Sequence, residues 1–396
     1  MRELEVLGNG HLRLDAGECK DLFEQDWAEM VRAQLKRLIE QALVAEQDRY
    51  LALGYYEHAP QSRIDYRNGF YFRDLVTRLG QLSRLRVPRT RKGFRSQVLP
   101  RYQRRERAVN NLILQAFLRG VSTRQVGEVL EPVLGEAYSA QTISNVTRQL
   151  QQAVDGFHRR RLGDHFVYLF LDGVVLKVRE LSGPVRRRTV LVAYGVCAGG
   201  RREIIDYRFA QGESESGWLE FVQGLFLRGL EGRNLRLIVT DGGSGLGAAL
   251  PVVYPHIPRQ LCWAHKMRNI GDKVRRRERS CAAEAAAIYR AANKAQALLA
   301  FRRWRRAWQH RRPRAVACVE RDLEALLNFF SVPQAHWKKV RTTNVIERAF
   351  REVRRRTRPM SSFSNLDSCD RIIYGVLSHL NSSWERKPLL EFTQSP

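Results

Sequence analysis

Apolar residues recur at helical spacing along residues 26–53, where Trp27, Val31, Leu35, Leu38, Ile39 and Leu43 share a face. That period predicts a long amphipathic helix, whose apolar side serves either internal packing or dimerisation. Residues 108–150 read as three short helices broken at Gly120 and near Gly135, with Ser122 and Ser139 suited to the N-cap positions. The helix over 122–134 turns Val126, Val129 and Leu130 inward, and the one over 139–153 offers Gln141, Thr142, Asn145 and Arg148 outward. This rhythm fits a helix-turn-helix, because outward Gln, Asn and Arg can read a DNA groove. It fits a plain three-helix core as well.

From residue 165 the period changes to that of strands. HFVYLFLDGVVLKV, RRTVLVAYGVC and REIIDYRFA are β-branched runs separated by turn residues, which predicts a three-strand meander. A helix follows at about 215–229, then the buried strand of LRLIVTDGG and a short helix. Three strands, helix, strand, helix is the order of a ribonuclease-H-like α/β core. Residues 273–332 interrupt it with Ala- and Arg-rich helical sequence, read as an all-helical insertion, before a helix at 344–357 resumes the core. In the insertion, the spacing of Phe301, Trp304 and Trp308 suits a core stripe or a base-stacking face, with Arg302, Arg303, Arg305 and Arg306 nearby for phosphate.

The boundaries that result are an N-terminal helical segment, 1–60, with possible use in dimerisation, and a mostly helical DNA-binding region, 61–150, with its helix-turn-helix at about 108–150. The core follows in two parts, 151–272 and 335–396, the second carrying a C-terminal tail, with the insertion at 273–334 between them.

Charge makes the partner more specific. The 396 residues include 68 Lys and Arg against 41 Asp and Glu, a formal net charge of +27. A compact chain of that charge is suited to a polyanion, and nucleic acid comes first. No apolar run approaches the ~20 residues that span a membrane, and no secretory signal opens the chain, so a soluble intracellular protein is expected. Six scattered cysteines, at 19, 197, 262, 281, 318 and 369, predict no disulfides. Ten of the basic residues crowd between Arg84 and Arg107, after Tyr66, Phe70, Tyr71 and Phe72, with Glu106 the one acid among them. A structured basic surface turning at Pro88, or a solvated basic loop, would produce that pattern. Arg89, Arg91 and Lys92 here, with Arg124, Gln141, Asn145 and Arg148 of the helical triplet, are the candidate DNA contacts.

Two acids stand out against their surroundings. Asp172 lies inside FVYLFLDGVVL, where an uncompensated carboxylate would cost several kcal/mol. Asp241 ends the strand LRLIVTDGG, and the glycines after it allow a ligand close approach. If those strands are neighbours the carboxylates converge, and a hard divalent cation such as Mg2+ is an economical partner. Capping a turn or pairing with arginine would be the structural alternative. Cys262 and His265 form a C-x-x-H pair without a second matching pair, open to readings as a zinc half-site, as packing, or as part of an active-site floor.

Taken in order, LDGVVLKV, IVTDGGSGL, QLCWAHKMRNI and RTTNVIERAFREVRRRTRPM resemble the signatures of Mutator-type bacterial insertion-sequence transposases, relatives of the plant Mutator elements. YRNGFYFR, VPRTRKGF and GVSTRQVGEVL resemble that family's N-terminal half, so the similarity spans about residues 60–365. The resemblance implies a DDE transposase whose acidic triad is Asp172, Asp241 and Glu347, the last two 106 residues apart. It further implies two Mg2+ or Mn2+ ions per site, Asp172 bridging them, and Cys262 and His265 beside the site. The expected chemistry is cleavage at terminal inverted repeats and joining of 3′-OH ends to target DNA. Double-stranded DNA and a homodimer or larger synaptic assembly are the implied partners, in a bacterial cytoplasm at the nucleoid. Arg351 and Arg354, one and two turns beyond Glu347, are suited to scissile-strand phosphates. Asn344 and Glu347 also have capping-box spacing, which would make Glu347 a helix-starting residue instead. A metal-dependent nuclease of the same fold, or a non-catalytic DNA-binding regulator, are the rival functions.

Overall fold

The computed structural model describes residues 27–52, 64–118, 121, 123–134, 138–179, 184–357 and 365–392. Gly120, Ser122, Gly135 and Cys19 lie outside them, as does the side chain of Arg124. The chain divides into two compact units, Met1–Phe117 with Val121–Thr147, and Leu118–Gly120 with Arg148–Pro396.

In the first unit, helix α1 (Trp27–Leu51) packs on a two-stranded antiparallel hairpin, β1 (Arg67–Thr77) and β2 (Gly80–Thr90). The basic stretch Arg84–Arg107 was expected as a structured surface or a loop; its first part, to Thr90, is strand, and Pro88 lies within β2, opposite Phe70, not in a turn. The cause is a period-2 alternation hidden by charge. Leu82, Leu85 and Val87 are buried against Leu43 and Leu75, while Arg84 and Arg86 are exposed. Of the α1 face, Leu43 is fully buried, Leu35 and Ile39 pack partly, and Trp27 and Leu38 remain exposed. Three short helices follow, α2 (Arg107–Leu118), α3 (Thr123–Leu134) and α4 (Ala140–Arg148). Val109, Ile113, Val126, Leu130, Leu134, Ile143 and Val146 make their common core. Val129, expected inside, is 56% exposed, because around the helix it lies about 60° from Val126 and about 100° from Leu130, off the buried face.

The helix foreseen over 139–153 is divided. It ends at Arg148, and α5 (Leu150–Arg159) begins the second unit. There, β3 (Phe166–Arg179), β4 (Val185–Cys197) and β5 (Arg202–Ala210) form the foreseen antiparallel meander. Helix α6 (Glu215–Leu227), β6 (Leu237–Thr240) and α7 (Ser244–Val253) follow, and a three-residue strand not foreseen, β7 (Arg259–Leu261), completes the sheet. Its order is β5-β4-β3-β6-β7, with β3, β6 and β7 parallel. Alternation along β3 separates two faces. Leu169 and Leu171 join Trp218, Phe221, Val222 and Leu225 of α6 and Leu246 and Leu250 of α7 in one core, each large side chain contributing about 1.5–3 kcal/mol. Tyr168, Phe170 and Asp172 face the other way.

Beyond β7, helix α8 (Trp263–Gly271) leads into helices α9 (Ser280–Arg290), α10 (Lys294–Trp308), α11 (Pro313–Glu320) and α12 (Leu323–Leu327), then α13 (Trp337–Val340), α14 (Asn344–Thr357) and α15 (Leu366–Glu385). Phe301, Trp304 and Trp308 are buried, with Trp304 Nε1 donating to the Cys281 carbonyl and Trp308 Nε1 to Glu284, so they are core and not a stacking face. The expected C-terminal tail is in large part α15, which buries Ile372, Ile373, Val376 and Leu377 and ties to β5 through Asn381 and the Ile204 backbone. The five described cysteines are buried and free.

Candidate active site

The β3–β6 register pairs Leu171 with Thr240, so the next residues, Asp172 and Asp241, flank one another where β6 ends. Asp172 is 3% exposed, and its Oδ2 is buried with no hydrogen-bond partner. Burial drives its pKa up to about 7; Asp241 and Glu347 add to the rise, while a hydrogen bond with Thr343 and the nearby His265 oppose it. Asp241 is partly open, and its Oδ1 accepts the Gly243 backbone N–H at 3.0 Å.

Glu347 lies in the first turn of α14, which docks through Ile346, Ala349, Phe350 and Val353. Its carboxylate does not close a capping box. Oε1 accepts from Arg268 at 2.6 Å and lies 3.9 Å from His265 Nε2, both on α8. Arg351 and Arg354 are exposed farther along the helix.

Cys262 and His265 sit just behind this group. The Thr343 backbone N–H donates to Cys262 Sγ at 3.3 Å, and its hydroxyl lies 3.5 Å from both Cys262 Sγ and His265 Nδ1. Burial pushes the Cys262 thiol up, but hydrogen bonds with His265 and Thr343 prevail and hold it below its ordinary value. The bond to Cys262 is also the main reason that His265 is raised, against burial. Cys262 and His265 are thus hydrogen-bonded to each other and to Thr343. Among the described residues, no three His, Cys, Asp or Glu side chains are placed to hold a metal ion as they stand, Glu347 being turned to Arg268. The donor chemistry nevertheless fits a hard divalent cation. Asp241 and Glu347 both act electrostatically on Asp172, and one buried oxygen of Asp172 is left without a partner.

Two participants escaped the sequence reading. Thr343 is fully buried and joins Asp172, Cys262 and His265. Its neighbours belong to two distant stretches of chain, so no local pattern marks it. Glu213, in the loop before α6, is raised by burial and by Asp241, with His265 opposing. It lies in a polar stretch, GESES, that reads as a loop.

In the first unit the candidate DNA contacts are on the surface. The guanidinium of Arg86 lies 4.4 Å over Phe70, Arg84 4.9 Å over Phe72, Arg91 5.4 Å over Tyr66 and Arg89 5.7 Å over Tyr71. Arg84 and Arg86 were not singled out beforehand, although the RLRV alternation marks them. Lys92 is exposed, with Nζ donating to the Ile64 carbonyl at 2.7 Å. Gln141, Asn145 and Arg148 are exposed, and Gln141 Nε2 donates to Asn145 Oδ1 at 3.1 Å.

A family model described as "Transposase, Mutator family" matches residues 11–387. The transposase for insertion sequence element ISRM5 of Rhizobium meliloti is 36% identical over 356 residues, 89% of this chain and 88% of that one. The transposase for IS406 of Burkholderia multivorans is 35% identical over 355 residues, 88% and 90% of the two chains. The Drosophila P element transposase strand transfer complex aligns with 72% of this chain and 83% of that one at 11% identity and a TM-score of 0.31, too remote to carry weight.

Proposed function

The chain belongs to the Mutator family of transposases, and from that premise we propose that it cleaves the ends of an insertion sequence by metal-dependent phosphoryl transfer and joins the freed 3′-OH ends to target DNA. The observation that carries this reading is the buried, unpartnered Oδ2 of Asp172 beside Asp241 and Glu347. A carboxylate kept so in an apolar strand destabilises the fold, and a bound cation removes the penalty. The sheet supports a ribonuclease-H-like core, since its antiparallel meander carries a parallel pair on the β3 side and the acids lie where β3 and β6 adjoin.

Asp172, Asp241 and Glu347 would hold two Mg2+ or Mn2+ ions. When bound, these activate water or a 3′-OH for attack and stabilise the leaving oxygen. The side chains around them position the acids. Thr343 hydrogen-bonds Asp172, and Arg268 keeps Glu347 on the α8 side until a cation competes for it. Arg351 and Arg354 extend a cationic track from Glu347 for the phosphate backbone.

In the first unit, α3 and α4 would act as a helix-turn-helix, with Gln141, Asn145 and Arg148 toward DNA. The close approach at Gly127 supports that packing, because a Cβ there would lie 2.2 Å from the Tyr138 carbonyl oxygen. We assign double-stranded DNA as partner, with a dimer or larger assembly bringing two ends together. No helix among the described residues is long and apolar enough to cross a membrane.

The test is an end-containing duplex incubated with Mg2+ or Mn2+. Wild type should nick it and join the end to a second duplex; Asp241→Asn and Glu347→Gln should each bind the end and fail to cut. A Glu347→Gln protein that cuts at the wild-type rate removes Glu347 from the site. Cutting without joining favours a nuclease.

A further inference from the structure

We propose that a cavity beside the acids receives one base turned out of the substrate DNA next to the phosphate to be cut, while basic side chains around it hold the phosphates on either side. The inference rests on the DNA-cleaving reading given above.

The cavity has a volume of about 400 Å³ and lies within the second unit. Strand geometry fixes its floor. Phe170 precedes Asp172 by two residues in β3 and is paired with Tyr194 of β4, so both rings lie on the face of the sheet that carries Asp172, about 7 Å back along the strand. Trp263 of α8, Tyr289 of α9 and Phe392 complete an aromatic lining, of which Tyr289 is the most open. The walls are shared with the acids. Helix α8 gives Ala264 and Met267 to the cavity and His265 and Arg268 to Glu347, and α14 gives Val345 and Arg348 to the cavity on either side of Glu347.

Charge and size define the occupant. Arg202, Lys338, Lys339, Arg341 and Arg348 line the cavity, and no acid does. Lys339 is neutralised by Glu391 at 3.1 Å; among the described residues none of the other four is in an ion pair. Burial lowers the Arg341 guanidinium below its ordinary value, and its Nη1 donates to the Tyr289 carbonyl at 2.9 Å. Arg202 Nε is buried without a hydrogen-bond partner. Arginines drawn out of water with no carboxylate call for an anion from outside the chain. The aromatic floor suits a flat ring attached to that anion, and a nucleotide supplies both parts. Pockets of this volume hold small ligands and exclude a duplex, so the base must leave its stack to enter. Arg348 stands one turn before Arg351 on α14, which makes the cavity continuous with the basic track beside Glu347.

The experiment places one mispair at a time along the end-containing duplex and reads binding by anisotropy in EDTA. Full-length wild type is compared with Ala264→Leu and Leu389→Trp, which fill the cavity from different elements. A mispaired base is the easiest to turn out, so one position adjoining the cut bond should bind wild type about tenfold more tightly when mispaired. 5-Iododeoxyuridine at that position should crosslink on irradiation to a peptide that lines the cavity. Both filled variants should bind paired and mispaired duplexes alike. A preference that survives at full size in the filled variants, equal wild-type binding at every position, or a crosslink elsewhere overturns the proposal while the DNA-cleaving reading stands. Wild-type protein that neither binds the end nor cuts it with Mn2+ overturns that reading, and this inference with it. Should Ala264→Leu fail to fold, Leu389→Trp decides alone.

Discussion

Replacing Asp172 by asparagine should stabilise the metal-free protein while it abolishes cleavage. In the unfolded chain this acid ionises near 3.8, and in the folded state burial holds it up to about 7. The folded form thus keeps a proton that the unfolded form has lost, so its stability falls as pH rises from 3.8 through about 7. The full difference corresponds to about 4 kcal/mol at neutral pH and above. Asparagine still brings an amide to desolvate, which leaves a gain of about 2–3 kcal/mol. For a unit of this size that is roughly 5–10 °C in Tm. The assay is thermal unfolding in EDTA from pH 5 to 8.5. The variant's advantage should be small at the acid end and reach its plateau above about pH 7. Adding Mg2+ or Mn2+ should raise the wild-type Tm and leave Asp172→Asn unmoved. A variant that melts at or below wild type in EDTA at pH 8 would show that the buried carboxylate is already compensated, and the case for a cation there would collapse.

Two further outcomes follow from other parts of the molecule. His158 Nδ1 lies 2.7 Å from Asp206 and Nε2 3.5 Å from Asp370, with Arg228 also on Asp206 and Tyr207 donating to Asp370. Burial opposes the imidazolium, but the two carboxylates prevail and raise His158 from 6.5 to about 9, so the stability it contributes is complete below 6.5 and lost as pH rises through about 9. His158→Gln should therefore cost about 2–3 kcal/mol at pH 6 and progressively less toward pH 10, measured by urea unfolding; a pH-independent penalty would mean that its charge contributes nothing. On the hairpin, Arg84→Ala with Arg86→Ala should lower the slope of log affinity against log salt for duplex DNA by about 2, read by anisotropy between roughly 50 and 200 mM salt. An unchanged slope would remove that face from the DNA interface.

What the sequence disclosed depended on how local the signal was. Asp172 was legible because fourteen residues of β3 are almost all apolar, and a carboxylate in such a run needs a reason. Asp241 was legible from a strand end followed by glycines. The α10 stripe was read correctly as an alternative because helical period alone identifies a buried face. By contrast, β7 has three residues, too few for any period to emerge. The hairpin was missed because charge drew attention away from alternation, although Leu85 and Val87 are buried and Arg84 and Arg86 exposed as strand geometry requires. Thr343 and Glu213 are defined by register and packing across the sheet. Neither has a neighbour in sequence that marks it.

The position of Glu347 poses a last physical question, how an acid 106 residues beyond Asp241 is brought within reach of Asp172. The answer lies in α8, which follows β7 directly and carries His265 and Arg268 toward Glu347. That short helix is fixed from behind by residues 322–329. Trp263 Nε1 donates to the Leu326 carbonyl at 2.8 Å, Lys266 Nζ pairs with Asp322, and Gln260 joins Leu326 to the Phe329 backbone. Lys266 is 5% exposed, and removing the Asp322 carboxylate would leave its charge buried and unpaired. The α14 side is secured independently, since the Trp263 N–H donates to the Arg341 carbonyl at 2.9 Å and the Thr343 N–H to Cys262 Sγ. The long excursion in sequence therefore shortens the distance in space. It returns the chain to α8, where Arg268 pairs with Glu347, while Thr343 hydrogen-bonds Asp172, so the helices between α8 and α14 bear on these acids through α8.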